Sequence, residues 1–181
     1  MALAIELPPH QEQTRVNLER WDRILADPEL ATLNHRIETD RHGKIIMSPP
    51  PGSQHSNRQS KILLKLSELL TNGYPRVEVP ISTSDGIRAA DVAWTSDRRF
   101  EEIYDPRAYL AAPDLCVEVV SPANSEREMA EKKALYFDAG ALEVWLCQPD
   151  GRLEIFTADR PDERAPDSAI CPGFPTQIDS P

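Results

Sequence analysis

Apolar and polar positions follow two rhythms along this chain. From about His55 to Thr71 the residues Ile62, Leu63, Leu66, Leu69 and Leu70 recur at helical spacing. Arg58, Lys61, Lys65 and Glu68 supply the other faces, and Asn72-Gly73 ends the pattern. Thr14 to Ala26 carries a rougher version, with Val16, Trp21, Ile24 and Leu25 as apolar contacts. His35-Arg36-Ile37-Glu38 and Lys44-Ile45-Ile46-Met47, parted by a polar stretch with Gly43, predict a hairpin. Ser48 to Ser53, with Pro49, Pro50 and Pro51, breaks regular structure. Val77-Glu78-Val79 and Arg88 to Thr95 predict strands joined through Ser84-Asp85-Gly86, and residues 97–112 read as mixed, charged and partly helical.

A clearer unit follows. Leu115-Cys116-Val117-Glu118-Val119-Val120 is an apolar strand interrupted by one carboxylate. Ser125 with Glu128 three residues on forms a capping box, opening a helix that runs to about Ala139 and stops at Gly140. Glu143-Val144-Trp145-Leu146-Cys147 is the next strand, so the unit is strand–helix–strand with a parallel pairing. Pro149-Asp150-Gly151-Arg152 turns the chain into a hairpin partner, Leu153-Glu154-Ile155-Phe156. Residues 1–13 are expected as a mobile arm and 158–181 as an extended Pro-rich tail. The expectation is a single domain over 1–181, a mixed sheet with helices of α/β or α+β class.

Composition narrows the class. A length of 181 residues suits one domain, and 40% hydrophobic with 28% charged residues excludes a largely disordered chain. No apolar run approaches the ~18–20 residues of a membrane helix. The N-terminal apolar stretch is too short for a signal peptide and lacks a basic start, so a cytoplasmic location is expected. Twenty Lys and Arg against thirty Asp and Glu give −10, which argues against a basic-patch DNA reader. It leaves room for an enzyme that meets nucleic acid through a metal ion. The three cysteines have no short spacing and make neither a disulfide framework nor a zinc site. Cys116 and Cys147 read as small buried hydrophobes, and Cys171 falls in the tail.

Two carboxylates stand out against this background. An unpartnered ionised Glu118 in an apolar strand costs several kcal/mol, and Asp91 in Ala89-Ala90-Asp91-Val92-Ala93-Trp94 repeats the problem. A strand-edge position, or pairing with Arg or Lys, is one solution. A divalent cation between adjacent strands is the other, and hard oxygen ligands suit Mg²⁺ or Mn²⁺ better than zinc. The following helix offers an amine, Lys132 or Lys133. Lys132 shares a face with Met129 and Tyr136, but Lys133 lies nearer the middle of the apolar arc, so periodicity alone would not choose Lys132. Either is alternatively a surface lysine paired with Glu128 or Glu131. An Asp–Glu–Lys set has a mechanism: the ion polarises a phosphate oxygen and acidifies a bound water, and the lysine orients that water or stabilises developing charge. No G-x-S-x-G elbow, P-loop or G-x-G-x-x-G offers a competing chemistry.

Ala112-Pro113-Asp114-Leu115-Cys116-Val117-Glu118-Val119-Val120-Ser121-Pro122, then Glu131-Lys132, Tyr136, Gly140 and Glu143-Val144-Trp145-Leu146, resembles the Uma-two family of restriction-endonuclease-like proteins. The likeness extends upstream through Asp91-Val92-Ala93, His55, and Glu38 with Gly43. It covers roughly 15–157, and Pro172-Gly173-Phe174-Pro175 resembles the family's closing segment. The resemblance implies a PD-(D/E)XK core, a central mixed β-sheet flanked by helices. It implies Asp91 and Glu118 as metal ligands and Lys132, four before the family tyrosine, as the catalytic lysine. Val120 stands where many superfamily members carry that lysine, and Ala90 where the family often has Pro. Glu38 is expected as a further carboxylate, Asp114 as a ligand or a turn residue, and His55 as a substrate contact or a cap. The implied function is a Mg²⁺- or Mn²⁺-dependent endonuclease acting on DNA, bound weakly without metal, with a homodimer where both strands are cut. The alternatives are a catalytically silent nuclease-fold protein that binds a protein partner, and a structural dimer whose carboxylates pair across an interface.

Overall fold

The structure is a computed structural model that describes residues 10–178. The elements run α1 (His10–Leu25), a 3₁₀ turn (Leu30–Thr32), β1 (Arg36–Thr39), β2 (Ile45–Ser48), α2 (Ser53–Leu69), β3 (Gly73–Thr83) and β4 (Gly86–Ser96). They continue with α3 (Asp97–Ile103), β5 (Leu115–Val119), α4 (Glu126–Asp138), β6 (Glu143–Cys147), β7 (Leu153–Thr157) and β8 (Arg160–Ala165).

Strands β3 to β8 form one six-stranded sheet in chain order, antiparallel except where β5 and β6 run parallel around the α4 crossover. Its central strands are buried on both faces, which is why they read as near-continuous apolar runs. On one face, Ile62 and Leu66 of α2 pack on Val92, Val117 and Trp145. On the other, Met129 and Tyr136 of α4 and Ile103 of α3 pack on Ala93, Cys116 and Val144. Ser125 caps α4 by accepting the Glu128 N–H at 3.1 Å, as the capping box predicts. The β1–β2 hairpin and α1 lie over the β3–β4 end, where Leu18, Trp21, Ile87 and Ala108 make a third cluster. The turn at Ser84-Asp85 closes β3 onto β4 with Gly86 at φ +89°, pressed so closely on the Thr39 and Asp40 backbone that no side chain fits.

Two expectations about the ends are corrected. Helix α1 begins at His10, so His10 to Gln13 of the expected arm are helical; the rest of that arm lies outside the described residues. Its apolar pattern is rough because the helix buries polar groups. Asn17 donates to the carbonyls of Thr83 and Gly86 at 2.9 and 3.2 Å, and Gln13 to that of Arg41 at 3.1 Å. The segment expected as an extended tail folds back on the sheet. Arg160–Ala165 is edge strand β8, whose charged sequence and Pro161 suit an edge but give no alternating apolar signal. Beyond it Cys171, Phe174 and Ile178 enter the α2-side core. Glu143 holds this return: its buried carboxylate accepts the Ala169 and Ile170 N–H groups, the Ser168 hydroxyl and the Trp145 indole N–H at 2.7, 3.1, 2.7 and 2.8 Å.

A buried carboxylate centre between β4, β5 and α4

Backbone pairing between β4 and β5 spans Val92–Trp94 with Leu115–Val117. Asp91 and Glu118 are the next residues on each strand, where the pairing stops. There the Asp91 side chain takes over from the ladder: Oδ2 accepts the Val119 N–H at 2.6 Å. His55, in the first turns of α2, places Nε2 3.2 Å from the same oxygen, and Arg36 of β1 forms an ion pair with Oδ1. Asp91 is 1% exposed.

Glu118 is held from α4. The Tyr136 hydroxyl donates to Oε1 at 2.6 Å, and Lys132 Nζ lies 3.3 and 3.2 Å from the two oxygens. Tyr136 follows Lys132 by four residues, so both reach the carboxylate from one helix face. The Lys132 ammonium also contacts Glu38 Oε1 at 3.0 Å and the Ala89 carbonyl at 3.4 Å, which occupies its three protons. Glu38 in turn accepts the Ala89 N–H at 2.8 Å. A second layer lies toward β3. Gln59 donates to the Asp91 carbonyl and to Glu78 at 2.8 and 2.9 Å, and Glu78 also receives Arg36 Nε at 2.8 Å. Glu78 adopts φ +52°, a left-handed conformation a glutamate rarely takes, so backbone strain collects beside the centre.

Burial and charge push the two carboxylates apart. Burial raises the Glu118 pKa to about 7; Lys132 opposes this, and ionised Asp91 adds to it. Burial also pushes Asp91 upward, but the His55 hydrogen bond and the Arg36 charge outweigh it and hold Asp91 below the usual carboxylate range. Burial works against the Lys132 charge, yet Glu118 and Glu38 keep its pKa above the ordinary lysine value. Arg36 behaves alike, its charge favoured by Asp91 and Glu118 against burial.

Asp91, Glu118 and Lys132 therefore share one buried cluster, with Glu38 and His55 beside them. Asp114 stands apart at the start of β5, accepting the Ser96 N–H at 2.7 Å. Lys133 faces away, 4.0 Å from the Phe156 ring centroid. Arg36, Gln59 and Glu78 escape the sequence reading. They come from β1, α2 and β3, far from either carboxylate in the chain, and nothing in their local pattern marks them.

The donors fit a hard divalent cation. Glu38, Glu78, Asp91 and Glu118, if ionised, outnumber Arg36 and Lys132 by two, leaving His55 aside. Among the described residues no three His, Cys, Asp or Glu side chains are grouped as a complete ligand set. A Mg²⁺ site ordinarily takes one or two carboxylates and fills the rest with water and phosphate oxygens, and Asp91 with Glu118 meets that need.

Comparisons agree with this architecture. Residues 21–179 match the family model Uma2, described as "Putative restriction endonuclease". Among solved structures, a putative nuclease belonging to DUF820 from Anabaena variabilis superposes with a TM-score of 0.61 at 22% identity, covering 82% of this chain and 86% of that one. That likeness is one of fold. No curated protein matches the chain.

Proposed function

This chain belongs to the Uma2 family, and from that membership and the carboxylate centre we propose that it is a metal-dependent endonuclease hydrolysing DNA phosphodiester bonds. The observation that carries the proposal is the pair Asp91 and Glu118, buried on adjacent strands, with the Lys132 ammonium 3.2 Å from Glu118. Asp91 and Glu118 are the residues that would hold Mg²⁺ or Mn²⁺. When bound, the ion supplies a Lewis acid for a phosphate oxygen and lowers the pKa of its water. Lys132 supplies a fixed positive charge to orient the attacking water or offset charge building on the phosphate. Tyr136 and Glu38 act as positioning residues: Tyr136 orients Glu118, and Glu38 orients Lys132. Arg36, its side chain 18% exposed, is the cation of the centre with a path to solvent, and it would meet an incoming phosphate by exchanging its Asp91 contact for one to the phosphate. A cut through both strands calls for two such centres, hence a homodimer.

Calorimetric titration with Mn²⁺, paired with plasmid cleavage, tests the proposal. Wild type is expected to bind and to nick. Asp91→Asn and Glu118→Gln are expected to lose both while melting as cooperatively as wild type. Unchanged Mn²⁺ affinity in Asp91→Asn would sink the assignment. One observation supports a second reading, a catalytically silent nuclease-fold protein that binds a protein partner: Arg36 and Lys132 already neutralise Asp91 and Glu118 from within. Metal binding without cleavage, or no binding, would favour it.

A further inference from the structure

A cavity of about 300 Å³ shares a wall with the carboxylate centre. Trp21, Ile24, Leu30, Ile37 and Pro80 make it apolar, drawn from α1, the 3₁₀ turn, β1 and β3. Two further lining residues belong to the centre itself. Arg36 pairs with Asp91, and the backbone of Ala89 bonds both Glu38 and Lys132, at 2.8 and 3.4 Å. Any strand whose phosphate reaches Arg36 has this cavity directly beside it.

Size and polarity select the occupant. The volume is at the low end of small-ligand sites, enough for one flat heterocycle but not for a base pair with its backbone. Arg36 and His35 are the lining groups that could meet a phosphate; the apolar residues that make most of the wall, and the Glu78 carboxylate beside them, would not hold one. A nucleobase has the opposite preference, since its neutral face gains by leaving water for an aromatic wall. Trp21, 7% exposed, presents to the cavity the small part of its ring that is not packed in the core, and its indole N–H donates to the Arg107 carbonyl at 3.0 Å, which fixes the ring before any ligand arrives.

We propose that this cavity is a base pocket, in which a nucleotide adjoining the scissile phosphate turns its base out of the strand and against Trp21. The centre then selects single-stranded or locally unpaired nucleic acid, because a paired base must first be unstacked and unpaired, a cost of a few kcal/mol. This rests on the carboxylate centre acting on phosphodiesters, and the test separates the two claims.

The probe is an oligothymidylate of about ten nucleotides, added with Mn²⁺ to the full chain while tryptophan emission is followed. Trp94 and Trp145 sit in the α2-side core, so a base in the cavity quenches Trp21, and a Trp21→Phe control identifies the signal. Ala31 lines the cavity and is exposed, so Ala31→Phe fills the space and Ala31→Ser leaves it open. The expected result is saturable quenching in wild type and Ala31→Ser, with affinity about tenfold weaker in Ala31→Phe. In cleavage, a duplex with one bulged base should be cut about tenfold faster than the perfect duplex, and Ala31→Phe should erase that preference. Absence of quenching, or equal quenching in Ala31→Phe, overturns the base pocket. Quenching lost in Ala31→Phe but with no cleavage of any substrate leaves the pocket standing and overturns the nuclease assignment.

Discussion

At the residue scale, the partners of a buried carboxylate say more than its burial. Glu143 and Glu118 are equally hidden in neighbouring parallel strands. Glu143 is surrounded by neutral N–H and O–H donors that fill its acceptor sites, and it holds the chain in place. Glu118 is met by an ammonium and a phenol, and burial, opposed by Lys132, pushes its pKa up to about 7. A ligand must be deprotonated, so Mn²⁺ affinity is expected to fall about tenfold for each pH unit below 7 and to level off above it. Calorimetry over a pH series checks this, and an affinity flat across the acid range would exclude Glu118 as a ligand. Lys132→Met should cost about 3–5 kcal/mol near neutral pH by stranding Glu118 and Glu38. The sign with pH follows from the raised Glu118 pKa: its favourable contribution is complete below its unfolded value and lost as pH rises through 7. The variant's deficit is therefore larger in mildly alkaline than in mildly acid buffer, which urea melts at the two pH values will measure. Asp91 and Glu118 were legible in the sequence because each is a lone acid in an apolar run. Lys132 is legible only through the family resemblance, since helical periodicity favours Lys133. Arg36 left no trace, because its importance arises where a hairpin crosses the sheet.

At the element scale, what the sequence displayed was whatever obeys a simple period. The α2 stripe, the capped α4 helix and the β5–α4–β6 crossover follow the apolar pattern closely, since each buries an apolar face against the sheet. Helix α1 and strand β8 were obscured for a shared reason: polar side chains carry much of their contact. Asn17 ties α1 to the β3–β4 turn, and its replacement by alanine leaves the Thr83 carbonyl without its side-chain donor, at a cost of about 1–3 kcal/mol. Glu143→Ala should detach the return segment in a different way. Two backbone N–H groups, a hydroxyl and an indole lose their acceptor, so limited proteolysis is expected to cut between Asp167 and Phe174 in the variant and to spare wild type. Equal protection in both would show that Cys171, Phe174 and Ile178 suffice to hold the segment.

At the scale of the whole molecule, the proposed substrate is a polyanion and the chain is acidic. A net charge of −10 opposes encounter with DNA, and only local cations counter it. Binding to a DNA duplex without divalent metal is expected to be weak and to fall further with added NaCl, whereas Mn²⁺ should tighten it; gel shifts with and without chelator decide this. Tight binding in chelator would contradict the proposed role of the ion. The centre is also widely sourced along the chain, from Arg36 through His55, Asp91 and Glu118 to Lys132 and Tyr136. A ribosome adds about 5–20 residues each second, so about 1–3 seconds of synthesis separate the β5 acid Glu118 from its ammonium partner Lys132. Charged Glu118 and Glu38 resist entering the interior until then. The carboxylate centre is complete only once α4 has been made, so under the proposed function a half-made polypeptide carries no cutting centre.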